Sequence, residues 1–165
     1  VIVTERTLPR RARALLLPSV IVLGSVVSLT GCGMFSGPVP EEYGIDRRTI
    51  EAEVGEEFSL SLPMEPSQGE WWYRVAPQPD EKIVRSQGDR EDYEGSDLDG
   101  GGDGTQSFDF EAVAAGTTEI KVLHCPVGTC VGKGASASPE PGAKSTNPDQ
   151  ADEARYYTFT VTVRG

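Results

Sequence analysis

The chain has 165 residues, 37% of them hydrophobic, with 15 Lys and Arg against 26 Asp and Glu. That length favours one domain with a modest core. A net charge of −11 argues against nucleic acid as a partner, because nothing neutralises phosphates in bulk.

The chain opens on positive charge, with Arg6, Arg10, Arg11 and Arg13, and an apolar run from Ala14 to Leu29 follows. The run contains Pro18 and, at about 16 residues, is shorter than the ~20 needed to span a bilayer. A charged start, an apolar stretch and a small-residue end describe a secretory signal rather than a membrane span. Leu29-Thr30-Gly31-Cys32 is similar to a bacterial lipobox, in which the Cys thiol takes a diacylglyceryl group and becomes the new N-terminus. Residues 1–31 are therefore expected to be removed as a signal peptide. Cys32 is expected to carry the lipid, holding the protein on the extracytoplasmic face of the cell membrane, where two or more acyl chains give stable anchoring. The removed segment takes four Arg and one Glu with it, so what remains is more acidic still.

Residues 32–48, the lipidated Cys and the Gly, Pro and Glu that follow, read as a tether. From Thr49 the period changes to two. Ile50, Ala52 and Val54 alternate with Glu51 and Glu53, the chain turns at Gly55-Glu56, and Phe58, Leu60 and Leu62 alternate with Ser59 and Ser61. This pattern predicts two paired strands, each with one buried face. Pro63 to Gly69 reads as a loop, Trp71 to Val75 as a third strand and Lys82 to Ser86 as a short fourth. Gln87 to Gly104 is rich in Gly and acid and is expected not to pack. Alternation returns at Phe108, Phe110 and Ala112, at Ile120, Val122 and His124 after a turn at Ala115-Gly116, and at Tyr157, Phe159, Val161 and Val163. Residues 128–154 are low in complexity, with almost no apolar side chain after Val131, and read as a disordered insertion. No segment keeps a 3.6 period. The predicted fold of residues 49–165 is all-β, an immunoglobulin-like β-sandwich of about seven strands.

Three loops then resemble those of the chagasin-type inhibitors of papain-like cysteine peptidases, over about Thr49 to Val163. The family's first loop reads Asn-Pro-Thr-Thr-Gly-aromatic-x-Trp; this chain has Glu65-Pro66-Ser67-Gln68-Gly69-Glu70-Trp71-Trp72. Pro66, Gly69 and Trp72 match, and Ser67 is a conservative stand-in. The second loop is a Gly-x-Gly-Gly run before a Phe-x-Phe strand, and Gly101-Gly102-Asp103-Gly104 leading to Phe108-Asp109-Phe110 follows it. The third, Arg-Pro-Trp in the family, is here Cys125-Pro126-Val127, which keeps only the Pro.

The resemblance implies a reversible, non-covalent inhibitor whose loops wedge into a papain-like peptidase's active cleft. The implied binding residues are Pro66, Ser67, Gln68, Gly69 and Trp72 of the first loop, Gly101, Gly102 and Gly104 of the second, and Pro126 of the third. A monomer is expected, without catalytic activity or cofactor. The alternative is a non-inhibitory immunoglobulin-like binding or structural module of the cell envelope. Trp71 and Trp72 face opposite sides of their strand, so one of them belongs to the core, and the resemblance gives that position to Trp72. Glu65 and Glu70 are expected to place two charges on the first loop and so to favour a peptidase with a basic cleft rim.

With export predicted, Cys125 and Cys130 have one possible pairing, and a disulfide is expected. His124, Cys125 and Cys130 match no common zinc spacing, and His124 is given a packing role. Asp97-Leu98-Asp99-Gly100 begins like a calcium loop, but Phe108 stands where the closing Glu belongs. No metal is therefore expected, and the acidic stretch reads as a solvated loop.

Overall fold

A computed structural model describes residues 39–93 and 102–165. The expected signal peptide over residues 1–31, Cys32 and Gly101 lie outside the described residues, as do Asp97 and Asp99. Among the described residues ten strands run in chain order: β1 (Glu41–Tyr43), β2 (Thr49–Glu53), β3 (Glu57–Met64), β4 (Trp71–Arg74), β5 (Val84–Tyr93), β6 (Gly104–Ala112), β7 (Gly116–Cys125), β8 (Cys130–Val131), β9 (Ser138–Pro139) and β10 (Arg155–Arg164). Eight of them form two four-stranded sheets, ordered β1-β3-β6-β5 and β2-β10-β7-β4, and β8 pairs with β9 as a separate ribbon. The sandwich expected from the period-two pattern is present, with one strand more in its two sheets than the seven foreseen.

Alternation builds the core. Ile50 and Ala52 are buried while Glu51 and Glu53 are exposed, and Phe58, Leu60, Leu62 and Met64 line the inner face of β3. Phe110, Ile120, Val122, Phe159, Val161 and Trp72 close over them. Phe58 lies opposite Phe110 in the β3–β6 ladder, and their rings stack 5.4 Å apart. Each such buried side chain contributes about 1.5–3 kcal/mol of transfer free energy.

Several expectations are corrected. β2 and β3 do not pair with each other: β2 runs parallel to β10, and β3 pairs with β6 and β1. The turn at Gly55, with φ 89°, carries the chain from one sheet to the other, so both apolar faces meet one core. Second, β5 does not stop at Ser86 but continues to Tyr93, paired with β6 through a bulge at Ser86/Gly88. An edge strand needs no apolar outer face when the ladder satisfies its backbone, and Arg85–Glu111 and Arg90–Asp109 pairs bridge it to β6. β1, inside the predicted tether, is likewise a strand; Tyr43 is buried edge-on against Phe58.

A further correction is residues 128–154, which are ordered against the second sheet. Leu123, Cys125 and Val75 give that sheet a second buried cluster, and Ala137, Cys130 and Ala154 cover it. Thr129 donates from its hydroxyl to the Pro126 carbonyl at 2.8 Å, and Glu140 N–H donates to the Thr129 carbonyl at 2.8 Å. A few small side chains suffice here because the sheet supplies the apolar surface. The expected disulfide, Cys125–Cys130, closes the base of the segment with 5.7 Å between Cα atoms.

Candidate functional site

Strand register places the predicted loops together. Met64, at the end of β3, lies opposite Gly104, the start of β6, and Gly104 also lies opposite Tyr93, the end of β5. In the other sheet Trp71, the start of β4, lies opposite Cys125, the end of β7. Trp72 ties the two sheets at this point: its indole N–H donates to the Pro63 carbonyl at 2.7 Å, and its backbone N–H to Gln106 Oε1 at 2.9 Å. The ends of β3, β5 and β7 and the starts of β4 and β6 therefore lie at one end of the sandwich.

The first loop is a single tight turn. Pro66–Gln68 form a 3-10 turn, with Pro at its first turn and Gly69 closing it in the left-handed conformation (φ 77°, ψ 23°). Pro presets φ and lacks the N–H that such a start leaves unpaired, and Gly accepts the left-handed region without steric cost. Gln68 and Gly69 N–H groups donate to the Glu65 and Pro66 carbonyls, each at 3.0 Å. Gly69 also sits hard against the third loop, since a Cβ there would lie 3.1 Å from Val127 Cγ2. Ser67 and Gln68 are exposed at the tip.

Glu70 departs from expectation. It is buried rather than displayed on the loop, at 9% exposure. One carboxylate oxygen accepts the Glu65 backbone N–H at 2.8 Å, and the other contacts His124 Nε2. His124 in turn stacks on Trp72, ring centres 4.3 Å apart. The carboxylate thus clamps the base of the first loop to the strand that delivers the third. Only Glu65 of the two acids remains at the surface, half-buried.

The other predicted residues divide in the same way. Trp72 and Pro126 are buried and support the loops from beneath. Gly104 is held in the β3–β6–β5 ladder rather than in the loop. Gly102 is half-buried beside the exposed Asp103, and both share a groove with Glu65, Ser67, Gln68, Asn147 and Asp149. A second groove joins Ser67, Gln68 and Gly69 to Val127 and to Thr146, Asn147 and Pro148. The last three belong to the segment expected to be disordered. Their only signal in the sequence is Asn-Pro, a turn-forming pair. Among the described residues no group of three or more His, Cys, Asp or Glu is placed to hold a metal ion. Around the first loop this end carries backbone, hydroxyl, amide and carboxylate groups able to form hydrogen bonds with a partner surface.

The family model of the chagasin family peptidase inhibitor I42 matches residues 51–125, which contain the first two loops and end as the third begins. The cysteine protease inhibitor EhICP2 from Entamoeba histolytica superposes with a TM-score of 0.50 at 16% identity, covering 78% of this chain and all of its own. The solution structure of amebosin gives 0.49 at 16% identity, with the same coverage. At such identity the EhICP2 superposition speaks to the fold alone. Comparison with curated proteins gives no match.

Proposed function

We propose that the chain, whose residues 51–125 match the family model of the chagasin family peptidase inhibitor I42, inhibits papain-like cysteine peptidases reversibly and without a covalent bond. In this reading the Pro66–Gly69 turn enters the active cleft and covers the catalytic Cys, with Gly102 and Val127 loops flanking it. The observation that carries it is the clamped first loop: its ends are fixed by Trp72 and Glu70, and its Gly69 is packed on Val127. A loop held in one conformation before binding loses little entropy on docking. The third loop lacks the family's Arg and Trp, and the Cys125–Cys130 disulfide stiffens it instead.

The full chain, titrated against papain and a cathepsin, should give reversible competitive inhibition. Gly69→Glu, which places a side chain where Val127 sits, should abolish it. Absence of inhibition by the wild-type chain at high micromolar concentration across several such enzymes would reject the proposal and favour a non-inhibitory envelope module.

The same proposal has the inhibitor exported as a monomer and anchored to the membrane through lipid on Cys32. Its support is the charged-then-apolar leader ending in Leu29-Thr30-Gly31-Cys32. Cys32→Ser should leave the chain unprocessed or release it from the membrane fraction; unchanged lipid labelling would refute the anchor.

A further inference from the structure

Residues 144–150 sit where the family match no longer reaches, yet beside the first loop. They form a closed turn of their own. Asn147 N–H donates to Ser145 Oγ at 3.1 Å, Asp149 N–H to Asn147 Oδ1 at 3.0 Å, and Ser145 N–H to the Asp152 carbonyl at 2.7 Å. Gln150 fastens this turn to the third loop by accepting the Val127 N–H at 3.0 Å. Val127 is the residue on which Gly69 packs, so the turn, the third loop and the first loop form one connected unit. Thr146, Pro148 and Asp149 are exposed at the same end as Ser67 and Gln68.

We propose that the 144–150 turn is a fourth contact element of the peptidase-binding end, and that it selects peptidases whose cleft rim is basic on that side. The inference rests on the inhibitory function proposed above. A peptidase that admits Ser67 and Gln68 into its cleft must also accept Thr146, Asn147 and Pro148, which share a groove with them. The charge follows from the second groove. Glu65, Asp103 and Asp149 line it together with Ser67, Gln68, Gly102 and Asn147, and no basic side chain is among these residues. A partner with Lys or Arg on the facing rim gains attraction, and one with Asp or Glu there is repelled. Because the turn is hydrogen-bonded in place, its contacts add affinity with little further ordering cost.

The test compares inhibition constants of the full chain against two papain-like peptidases, one with Lys and Arg on its cleft rim and one with Asp and Glu. Asp149→Arg changes only an exposed side chain, and its thermal unfolding should match the wild type. It should weaken inhibition of the basic-rim enzyme about tenfold, flatten the salt dependence of association, and strengthen inhibition of the acidic-rim enzyme. A second variant, Thr146→Trp, adds bulk at the exposed tip and should weaken inhibition of both enzymes, most for the narrower cleft. Inhibition constants within about twofold of wild type for both variants on both enzymes would overturn the fourth contact. If Gly69→Glu still abolished inhibition, the inhibitory function itself would stand. A wild-type chain that inhibits neither enzyme would reject both.

Discussion

Glu70 shows what one side chain does for this end of the molecule. Its carboxylate joins the Glu65 backbone, at the root of the first loop, to His124 of β7. Glu70→Ala removes the acceptor of a part-buried N–H and the partner of a buried imidazole. Each lost partner costs about 1–3 kcal/mol, so urea unfolding should shift to lower midpoint and inhibition should weaken; an unchanged midpoint would contradict the clamp. Gly69→Ala is a finer probe. At φ 77° a non-Gly residue costs about 1–2 kcal/mol, and Val127 must also yield to the new methyl. The variant should unfold more easily and inhibit less, because the contact between the first and third loops is disturbed. Local chemistry made the Pro66–Gly69 turn legible in the sequence, and the family resemblance made the buried position of Trp72 legible. The role of Glu70 was not, because its partner lies 54 residues away and a lone Glu in a loop looks like surface charge. Only the register Trp72↔His124 across β4 and β7 brings the two together.

Individual elements were readable where one face alternates and obscure where packing came from elsewhere. β3, β6, β7 and β10 declare themselves by their apolar period. β1 and the outer half of β5 do not, because ladder hydrogen bonds and a single buried Tyr43 hold them. That Tyr gives β1 a measurable signature. Its hydroxyl is raised from 10.0 to about 12, first by burial and then by its hydrogen bond to the Glu41 carboxylate. A raised value means that the folded chain keeps the proton, so the stabilisation is complete below about pH 10. It is lost as pH climbs through about 12. A phenolate absorbance titration should therefore show a late step that Tyr43→Phe removes; loss of no late step in that variant would place β1 away from the sheet. The 128–154 segment was misread because composition records what a segment brings and not what it meets. Ala137 is buried, and Ala154 partly buried, against the cluster of Val75, Leu123 and Cys125, which the segment's own composition does not record. Replacing both Cys125 and Cys130 by Ser should cost about 2 kcal/mol, the chain-entropy value for so short a loop. It should also speed amide exchange across residues 130–139, and unchanged exchange there would show that the segment is held without the disulfide.

At the scale of the whole molecule, the sequence pattern was enough for an all-β sandwich, because alternation and the absence of a helical period leave few other layer architectures. The assignment of strands to sheets was not, since the turn at Gly55 looks locally like a hairpin and in fact crosses between layers. The negative charge noted at the outset is also better placed. Glu70 is internal, while Glu65, Asp103 and Asp149 border one groove at the loop end. The central claim is that this end fills a peptidase cleft without forming a bond. The most direct measurement is calorimetric titration of the full chain into a papain-like peptidase whose catalytic Cys is replaced by Ala, alone and saturated with a small active-site ligand. The account predicts one-to-one binding to the Cys-less enzyme and its loss when the cleft is occupied. Binding that persists with the cleft filled, or that requires the catalytic thiol, would contradict it.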